Sequence, residues 1–409
     1  MKIGNVKRKL LISLSGTALA QIIHLLFTPI LTRVYTPEEF GELAILIAFG
    51  GIVTAVATAR YDVAIVVATE EERVVLDKGI IKISYFVGLF LILIALIIFY
   101  MGKNNYGILC FFLAFIAIIR ANYQSKRSIL NSYGKYSQMA NGRVVENTSN
   151  GVIAFALSFF QVGSIGLMLA KTLSYLIPVK YYSSITKKLV PQSLEVGTSE
   201  TLKKFIKFPK YSIASSLIDQ INLGFSIFAF TYLYGEAIAG HVSMTTRVLS
   251  LPINFIGVAF LDVFREKATK DYLKFGNFKT IFIKFFLSLA FLAVLGFAII
   301  TTLGEPIFIL VLGEQWETAG QFATIAIALY SVRLISSPLT FSFQLNQNQQ
   351  AHMLFEVLIL FVSLAAVSFS FIKELPPMEC LQIYCYSLAS VHLLFIYAAY
   401  KNSSKTKFL

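Results

Sequence analysis

Apolar segments long enough to cross a membrane recur along the whole chain. An α-helix of about twenty residues spans the hydrocarbon core of a bilayer, and the 409-residue sequence contains twelve such stretches. They are predicted at 10–34, 41–68, 79–100, 106–122, 143–161, 163–185, 208–234, 239–263, 279–303, 319–343, 352–372 and 380–400. Only 14% of the residues are charged, compared with about a quarter in soluble domains. The sequence therefore predicts an all-α integral membrane protein with about twelve transmembrane helices.

The basic residues lie mainly on alternate connections between the predicted spans. With the N-terminus inside, 25 of the 35 Lys and Arg residues fall on inner segments, and the outer connections hold only Arg33, Lys103 and Lys373. Because basic residues accumulate on the cytoplasmic side of membrane proteins, both termini are predicted in the cytoplasm. The cytoplasmic location of these basic residues then explains most of the net charge of +13. Nucleic acid is therefore not expected as a partner.

A polar turn separates the first two predicted spans. Residues 32–41 read TRVYTPEEFG. Thr36 suits a helix N-cap, Glu39 follows three residues later as in a capping box, and Pro37 suits the first helical position. Arg33 is typical of a membrane–water interface. We therefore expect one helix to end here and the next to begin after a few residues.

The first hairpin recurs when the sequence is shifted by 199 residues. Five of about 27 positions are identical, and they include polar and turn residues: Gln21 and Gln220, Ile22 and Ile221, Thr32 and Thr231, Tyr35 and Tyr234, Gly41 and Gly240. Such a pattern predicts a parallel repeat of two six-helix bundles. Their ranges are 1–185 and 208–409, joined by a basic cytoplasmic linker at 186–207. Chance similarity between two membrane hairpins is the alternative explanation.

Three motifs connect the chain to a known family. They consist of Arg33, Tyr35, Thr36, Pro37, Glu38, Phe40 and Gly41 after the first span, then Arg60, Tyr61 and Asp62 followed by Glu70, Glu71 and Glu72, and finally Gly313, Trp316, Ala319 and Gly320 before the tenth span. These motifs resemble those of bacterial polysaccharide flippases, the O-antigen and capsule repeat-unit exporters of the MOP superfamily. They are structural turns, so they specify the family better than the substrate.

The resemblance implies two six-helix bundles around a central cavity. It also implies alternating-access translocation of an undecaprenyl-pyrophosphate-linked oligosaccharide across the bacterial cytoplasmic (inner) membrane, for lipopolysaccharide or capsule synthesis. Expected partners are this substrate, membrane lipid, and a polysaccharide polymerase with its chain-length regulator. No cofactor is expected, although transport could be coupled to H⁺ or Na⁺ movement.

Charged side chains inside predicted spans are the candidates for the substrate site. A pyrophosphate headgroup is anionic, a guanidinium binds phosphate oxygens through two donors, and a charge at mid-membrane costs at least about 2.5–3.5 kcal/mol. The predicted cationic site comprises Arg247, Arg333, Arg60, Arg120, Lys171 and Arg33. The predicted polar or ion-coupling residues are Asp62, Asp219, Gln220, Asn222 and Glu146.

Each candidate also has a structural explanation. Arg247 and Arg333 could bond helices together, Arg60 and Asp62 could form a local pair, Arg33 and Arg120 could anchor at the interface, and Lys171 could pair with an outer Glu. Two other functions stay open: a cation-coupled multidrug exporter of the same superfamily and a polysaccharide polymerase or ligase. A scaffolding role is the least specific alternative. The sequence contains no phosphate-binding glycine loop or metal-spaced His/Cys set, so no enzyme activity is predicted.

Overall fold

The structure, a computed structural model, describes residues 3–191, 197–345 and 349–404. Within these ranges, regular structure is entirely helical. Eight helical segments are long and apolar enough to cross a membrane: Pro37–Ala57, Glu70–Tyr100, Asn104–Ser132, Phe208–Phe275, Lys279–Leu312, Glu314–Phe343, Met353–Ile372 and Pro377–Ser403. A shorter apolar helix covers Ala18–Val34. The protein is therefore an all-α, multi-pass membrane protein.

The helices follow one another with short connections. The first nine are α1 (Ile3–Val34), α2 (Pro37–Ala57), α3 (Tyr61–Val67), α4 (Glu70–Tyr100), α5 (Asn104–Ser132), α6 (Tyr136–Ser158), α7 (Ser164–Leu173), α8 (Leu176–Leu189) and α9 (Thr198–Lys204). The others are α10 (Ile213–Leu249), α11 (Val258–Phe275), α12 (Lys279–Leu312), α13 (Glu317–Leu339), α14 (Phe341–Leu345), α15 (Gln349–Ile372) and α16 (Pro377–Ser403).

Local features explain why fewer segments stand out than the twelve predicted spans. The seventh and eighth predicted spans form one long segment, because α10 continues across the boundary between them with only a kink at Gly235. A π-helical turn, Ile253–Gly257, then joins α10 to α11. The predicted span at 163–185 is divided into α7 and α8. The helix in place of the fifth span, α6, carries the polar sequence RVVENTSNG. The twelve-span arrangement stays a prediction.

The second predicted span, 41–68, is also divided. Helix α2 ends at Ala57, and α3 begins at Tyr61. Between them, Ala59 and Arg60 have φ angles of 45° and 58°. This is the left-handed backbone conformation, which costs free energy in any residue that has a Cβ atom. Hydropathy averaged over a span does not reveal this break, because the short polar sequence TARYD at 58–62 lies between two apolar helices.

Backbone packing divides the chain into two compact units, Met1–Gly224 and Phe225–Leu409. In the first unit, α1 packs on α6 and α4 on α5; in the second, α13 packs on α12 and α16. Each unit has apolar cores of its own, the first including Ile65, Leu76 and Ile80 and the second Phe264 and Phe343. The bundle limits at 185 and 208 stay a prediction, and residues 192–196 of the linker lie outside the described residues.

The turn between α1 and α2 has the predicted capping box. The Thr36 hydroxyl accepts a hydrogen bond from the Glu39 backbone N–H at 3.3 Å, and a Glu39 carboxylate oxygen accepts one from the Thr36 N–H at 2.8 Å. Pro37 is the first residue of α2. Arg33 is exposed, and its Nη1 donates to the Pro29 carbonyl at 3.2 Å. The predicted helix end and helix start are confirmed.

The two units share this turn at positions 199 residues apart. Tyr35 Oη donates to the Ala154 carbonyl at 2.8 Å, and Tyr234 Oη donates to the Leu375 carbonyl at 2.7 Å. The residue aligned with the Thr36 cap is Gly235, which interrupts α10 with φ 83° and ψ 178°. A glycine tolerates this backbone conformation at little cost. The internal repeat stays a prediction.

Candidate functional site

Three of the predicted site residues meet in the first unit. Lys171 Nζ on α7 lies 3.1 Å from Glu146 Oε1 on α6. The same ammonium lies 4.7 Å from the centre of the Tyr175 ring, and the Arg120 guanidinium lies 5.9 Å from that centre. Both distances are within the range of a cation–π interaction. The Lys171 and Glu146 side chains are 19% and 14% exposed, so the ion pair is largely covered but still reachable.

Three tyrosine rings pack against one another beside this ion pair. The Tyr123 ring centre lies 5.5 Å from that of Tyr175 and 5.5 Å from that of Tyr182, with which it is stacked. Tyr182 is fully buried, and its hydroxyl donates to the Met139 carbonyl at 2.9 Å. The ring lies against the backbone of Gly142, where a side chain would overlap it. The tyrosines are thus held in place by α6 as well as by each other.

Two further arginines complete the group. Arg127 lies seven residues after Arg120 on α5, and Arg143 lies three residues before Glu146 on α6, so each shares a helix face with its neighbour in the group. We call the set the basic–tyrosine cluster; it comprises Arg120, Tyr123, Arg127, Arg143, Glu146, Lys171, Tyr175 and Tyr182. Four of its side chains are basic and one is acidic. Its composition therefore favours binding of an anion over binding of a cation.

Helical spacing explains how three parts of the chain contribute to the cluster, since residues three, four or seven apart share a helix face. The contributing residues are Arg120, Tyr123 and Arg127 on α5, Arg143 and Glu146 on α6, and Lys171, Tyr175 and Tyr182 along α7 and α8. Arg120, Glu146 and Lys171 are among the predicted site residues. The tyrosines are not, and the other two arginines are predicted only as cytoplasmic basic residues, although the spacing of basic and tyrosine residues on α5 indicates a shared face.

Arg60 and Asp62 are placed differently. Among the described residues, no salt bridge joins the two side chains. The buried Asp62 carboxylate instead accepts a hydrogen bond from Gln124 Nε2 at 2.9 Å. Tyr61, between them, donates to the Leu202 carbonyl at 3.3 Å. This motif therefore holds α3 against α5 and against the segment that includes α9.

The polar stretch at the start of α10 belongs to the first unit. Asp219 is exposed, and Asn222 is half-buried. Gln220 lies directly against α2, since a Cβ placed on Gly51 would be 2.1 Å from Gln220 Oε1. Within the described ranges, no group of three His, Cys, Asp or Glu side chains converges as a metal site.

Arg247 and Arg333 lie in the second unit. Arg247 is in the last turn of α10. The Arg333 guanidinium on α13 lies 5.4 Å from the centre of the Tyr330 ring. One turn further along α13, the Ser336 hydroxyl is 3.1 Å from His392 Nδ1 on α16. A substrate-binding role for these two arginines stays a prediction.

Comparison with known proteins identifies the family. The sequence profile of a family described as "Polysaccharide biosynthesis protein" matches residues 30–321, which is well over half of the chain. The chain belongs to the polysaccharide biosynthesis protein family. A search of curated proteins finds no match to this sequence.

Solved structures show which fold this polysaccharide biosynthesis protein has. A structure of "Lipid II flippase MurJ, inward closed conformation" matches with a TM-score of 0.69 at 15% identity, over 96% of this chain and 87% of that one. An inward-facing multidrug resistance MATE family transporter of the MOP superfamily matches with a TM-score of 0.66 at 14% identity, over 95% and 96% of the chains. A MOP superfamily transporter from Pyrococcus furiosus matches with a TM-score of 0.57 at 13% identity, over 96% and 92%.

The polysaccharide biosynthesis protein thus has the fold of the MOP superfamily transporters. The predicted resemblance to the polysaccharide flippases of that superfamily is confirmed at the level of family and fold. Its structural neighbours are transporters rather than enzymes.

Proposed function

We propose that this protein is a flippase that moves an undecaprenyl-pyrophosphate-linked oligosaccharide from the cytoplasmic to the outer leaflet of a bacterial inner membrane, by alternating access. The family description, polysaccharide biosynthesis, supports a glycan substrate. The fold supports a transporter, and the matching MurJ structure is named a lipid II flippase. Lipopolysaccharide O-antigen and capsule repeat units are the substrates we expect, with a polymerase and its chain-length regulator acting afterwards.

The basic–tyrosine cluster is the observation that carries this proposal. A pyrophosphate that links a lipid to a sugar carries two negative charges and cannot enter hydrocarbon unaided. The cluster holds four basic side chains and one carboxylate, Glu146, which pairs with Lys171. Because like charges repel one another at short distances, such an excess of positive charge is most easily explained by an anionic ligand. Arginine suits phosphate because its planar fork donates two parallel hydrogen bonds.

The same charge balance argues against a multidrug exporter. A site for cationic drugs needs an excess of acidic side chains, because opposite charges attract over short distances. In the basic–tyrosine cluster the acid is outnumbered, and Glu146 already pairs with Lys171. A headgroup-binding site of positive charge is therefore the better explanation of the cluster.

A complementation assay tests the proposal. The gene would be expressed in a bacterium lacking the flippase for its own surface polysaccharide, with the glycan genes that normally accompany this protein. We expect wild type to restore surface polysaccharide and the Arg120→Gln, Arg127→Gln double variant to lower it at least about tenfold, the loss expected if about 1.4 kcal/mol or more of headgroup binding is removed. The matched control is Lys270→Gln with Lys274→Gln, two exposed lysines on α11.

The variants are compared at equal amounts of each protein in the membrane. Full surface polysaccharide from the cluster variant would overturn the headgroup role of the cluster. The Arg247→Gln, Arg333→Gln double variant, assayed alongside, reports whether the arginines of the second unit also bind substrate. Reporter fusions at each terminus test the cytoplasmic location that we propose for both.

A further inference from the structure

We infer that a helical strap on the first unit binds the headgroups of anionic phospholipids at the membrane surface. The strap is residues 197–212, and it comprises α9, a short turn and a π-helical turn, Phe208–Ser212, that leads into α10. It contains no residue of the basic–tyrosine cluster. The inference does not depend on which substrate the protein transports.

One face of the strap is attached to the first unit by apolar contacts. Phe205 is buried in an apolar core of that unit, and Leu202 and Phe208 pack against the same core. The Leu202 carbonyl accepts the hydrogen bond from Tyr61 Oη, and a Cβ placed on Gly79 of α4 would lie 3.0 Å from Leu202 Cδ2. Because these contacts fix the backbone of the strap, the side chains on its other face have a defined arrangement.

An ion pair adds to this attachment. Lys204 Nζ lies 2.5 Å from Glu72 Oε1 in the first turn of α4. The other oxygen of the Glu72 carboxylate accepts a hydrogen bond from the Thr69 backbone N–H at 2.9 Å. Glu72 thus joins the start of α4 to the strap, and the Lys204 side chain is still 61% exposed.

The opposite face of the strap is basic. Lys203, Lys207 and Lys210 are spaced by four and three residues, which places them on one face of a helix, and all three are exposed. With Lys204, the strap carries four lysines and a single acidic residue, Glu200. This excess of positive charge favours an anionic partner, since opposite charges attract over short distances.

The end of α8 adds to the same basic surface. Val190 directly follows α8 and packs against the apolar core that holds Phe205. Lys187 and Lys188 lie within one helical turn of Val190, and both are exposed. Two segments of the predicted cytoplasmic linker therefore bring their lysines to the same part of the first unit.

Apolar side chains among these lysines favour a membrane over other anionic partners. Ile206 and Tyr211 are 52% and 62% exposed, and Lys210 Nζ lies 5.4 Å from the centre of the Tyr211 ring. Segments that lie on a bilayer combine basic and apolar side chains in this way, and tyrosine is enriched at the membrane–water boundary. An anionic lipid surface matches both the charge and the exposed apolar groups of the strap.

Helix α11 shows that the strap differs from another basic segment of the chain. Lys267, Lys270 and Lys274 on α11 are also exposed and similarly spaced. However, α11 contains three acidic residues to its four basic ones, and Lys270 Nζ lies 2.6 Å from Glu266 Oε1. Groups of four or more basic residues beside a membrane span attract anionic lipids, and the charge of the strap is much less compensated than that of α11.

Fluorescence quenching by brominated lipids measures which lipid lies beside the strap. The full-length protein would carry a bimane label on Ile206→Cys, with Cys110→Ala; Cys380 and Cys385 are buried. It would be reconstituted in bilayers of phosphatidylcholine and phosphatidylglycerol, with bromine on one lipid or on the other. The two quenching curves give the relative affinity of the neutral and the anionic headgroup at the strap.

We expect phosphatidylglycerol to bind at least about fivefold more tightly than phosphatidylcholine, which is the effect of one lysine at an anionic surface. This preference should disappear in about 1 M salt, where the Debye length is about 3 Å. Equal quenching by the two lipids at low salt would overturn the inference and leave an acidic protein as the ligand of the strap. Absence of quenching by either lipid would also overturn it, because the strap would then not reach the bilayer.

Two triple variants with the same change in net charge test the lysines themselves. The strap variant carries Lys203→Gln, Lys207→Gln and Lys210→Gln. The control variant carries Lys267→Gln, Lys270→Gln and Lys274→Gln. The preference for phosphatidylglycerol should be lost in the strap variant and kept in the control variant, and equal preference in both would overturn the inference. If the strap variant does not fold, the lipid preference of the protein with its natural lysines and the salt dependence of that preference still decide.

Discussion

The contact between Gly142 and Tyr182 gives a sharp test of how the basic–tyrosine cluster is built. A Cβ added at Gly142 would lie 2.1 Å from Tyr182 Oη and 2.2 Å from its Cζ. Atoms in van der Waals contact prefer about 3.5–4.0 Å. In a Gly142→Ala variant the ring must therefore move by more than about 1 Å. That movement breaks the hydrogen bond to Met139 and disturbs the stack on Tyr123.

The cost can be worked from these contacts. Overpacking a filled core costs about 1–3 kcal/mol, a lost hydrogen bond about 0.5–1.5 kcal/mol, and a lost aromatic pair about 0.5–1.5 kcal/mol. Alanine in place of glycine inside a helix returns about 1 kcal/mol. The free energy of unfolding should thus fall by roughly 1–5 kcal/mol in the Gly142→Ala variant.

The assay compares thermal unfolding of purified variants in one detergent at one heating rate, since membrane proteins often unfold irreversibly. The matched control is Gly296→Ala in the interior of α12, where no neighbouring atom lies within 4 Å of the added Cβ. We expect the control to unfold at or slightly above the wild-type temperature and Gly142→Ala to unfold well below it. Equal unfolding temperatures for the two variants would refute the packing described for Tyr182.

Three further predictions concern the framework around the cluster. Tyr35→Phe and Tyr234→Phe should each lower the free energy of unfolding by about 1 kcal/mol, because each removes one hydrogen bond to a carbonyl. Thermal unfolding measures both variants, and a lower unfolding temperature in only one of them would argue against equivalent roles in a repeat. Thr36→Ala should cost about 1 kcal/mol as the N-cap is lost, while Thr36→Ser, measured in parallel, should remain close to wild type. Asp77 forms a salt bridge with Lys126, and Glu266 forms one with Lys270; the two carboxylates are 10% and 57% exposed. Asp77→Asn should lower the unfolding temperature far more than Glu266→Gln, because only a covered pair is costly to break; similar losses in both would contradict this ranking.

Features set by a few neighbouring residues could be predicted from the sequence. The capping box at Thr36 and Glu39 is an example, because both partners lie within one turn of helix. The break at Arg60 lies in the polar sequence TARYD at 58–62, but polar residues inside a span also fit a single helix with embedded charges. Hydropathy therefore reads α2 and α3 as one span.

The candidate site illustrates a second limit. Spacing on α5 predicts that Arg120, Tyr123 and Arg127 share a face, but it does not say which other helix that face meets. For Lys171 the sequence leaves open a pairing with an outer Glu, whereas the structure pairs it with Glu146 of α6. Such a pairing depends on tertiary packing between segments 25 residues apart, which no local pattern records.

The left-handed break between α2 and α3 has a mechanical consequence. Holding Ala59 and Arg60 in this conformation costs about 1–2 kcal/mol per residue, and the surrounding contacts of Tyr61 and Asp62 maintain it. Ala59 and Tyr61 are also part of the buried core of the first unit. The junction therefore fixes the direction in which α3 leaves α2, because straightening it would break these contacts.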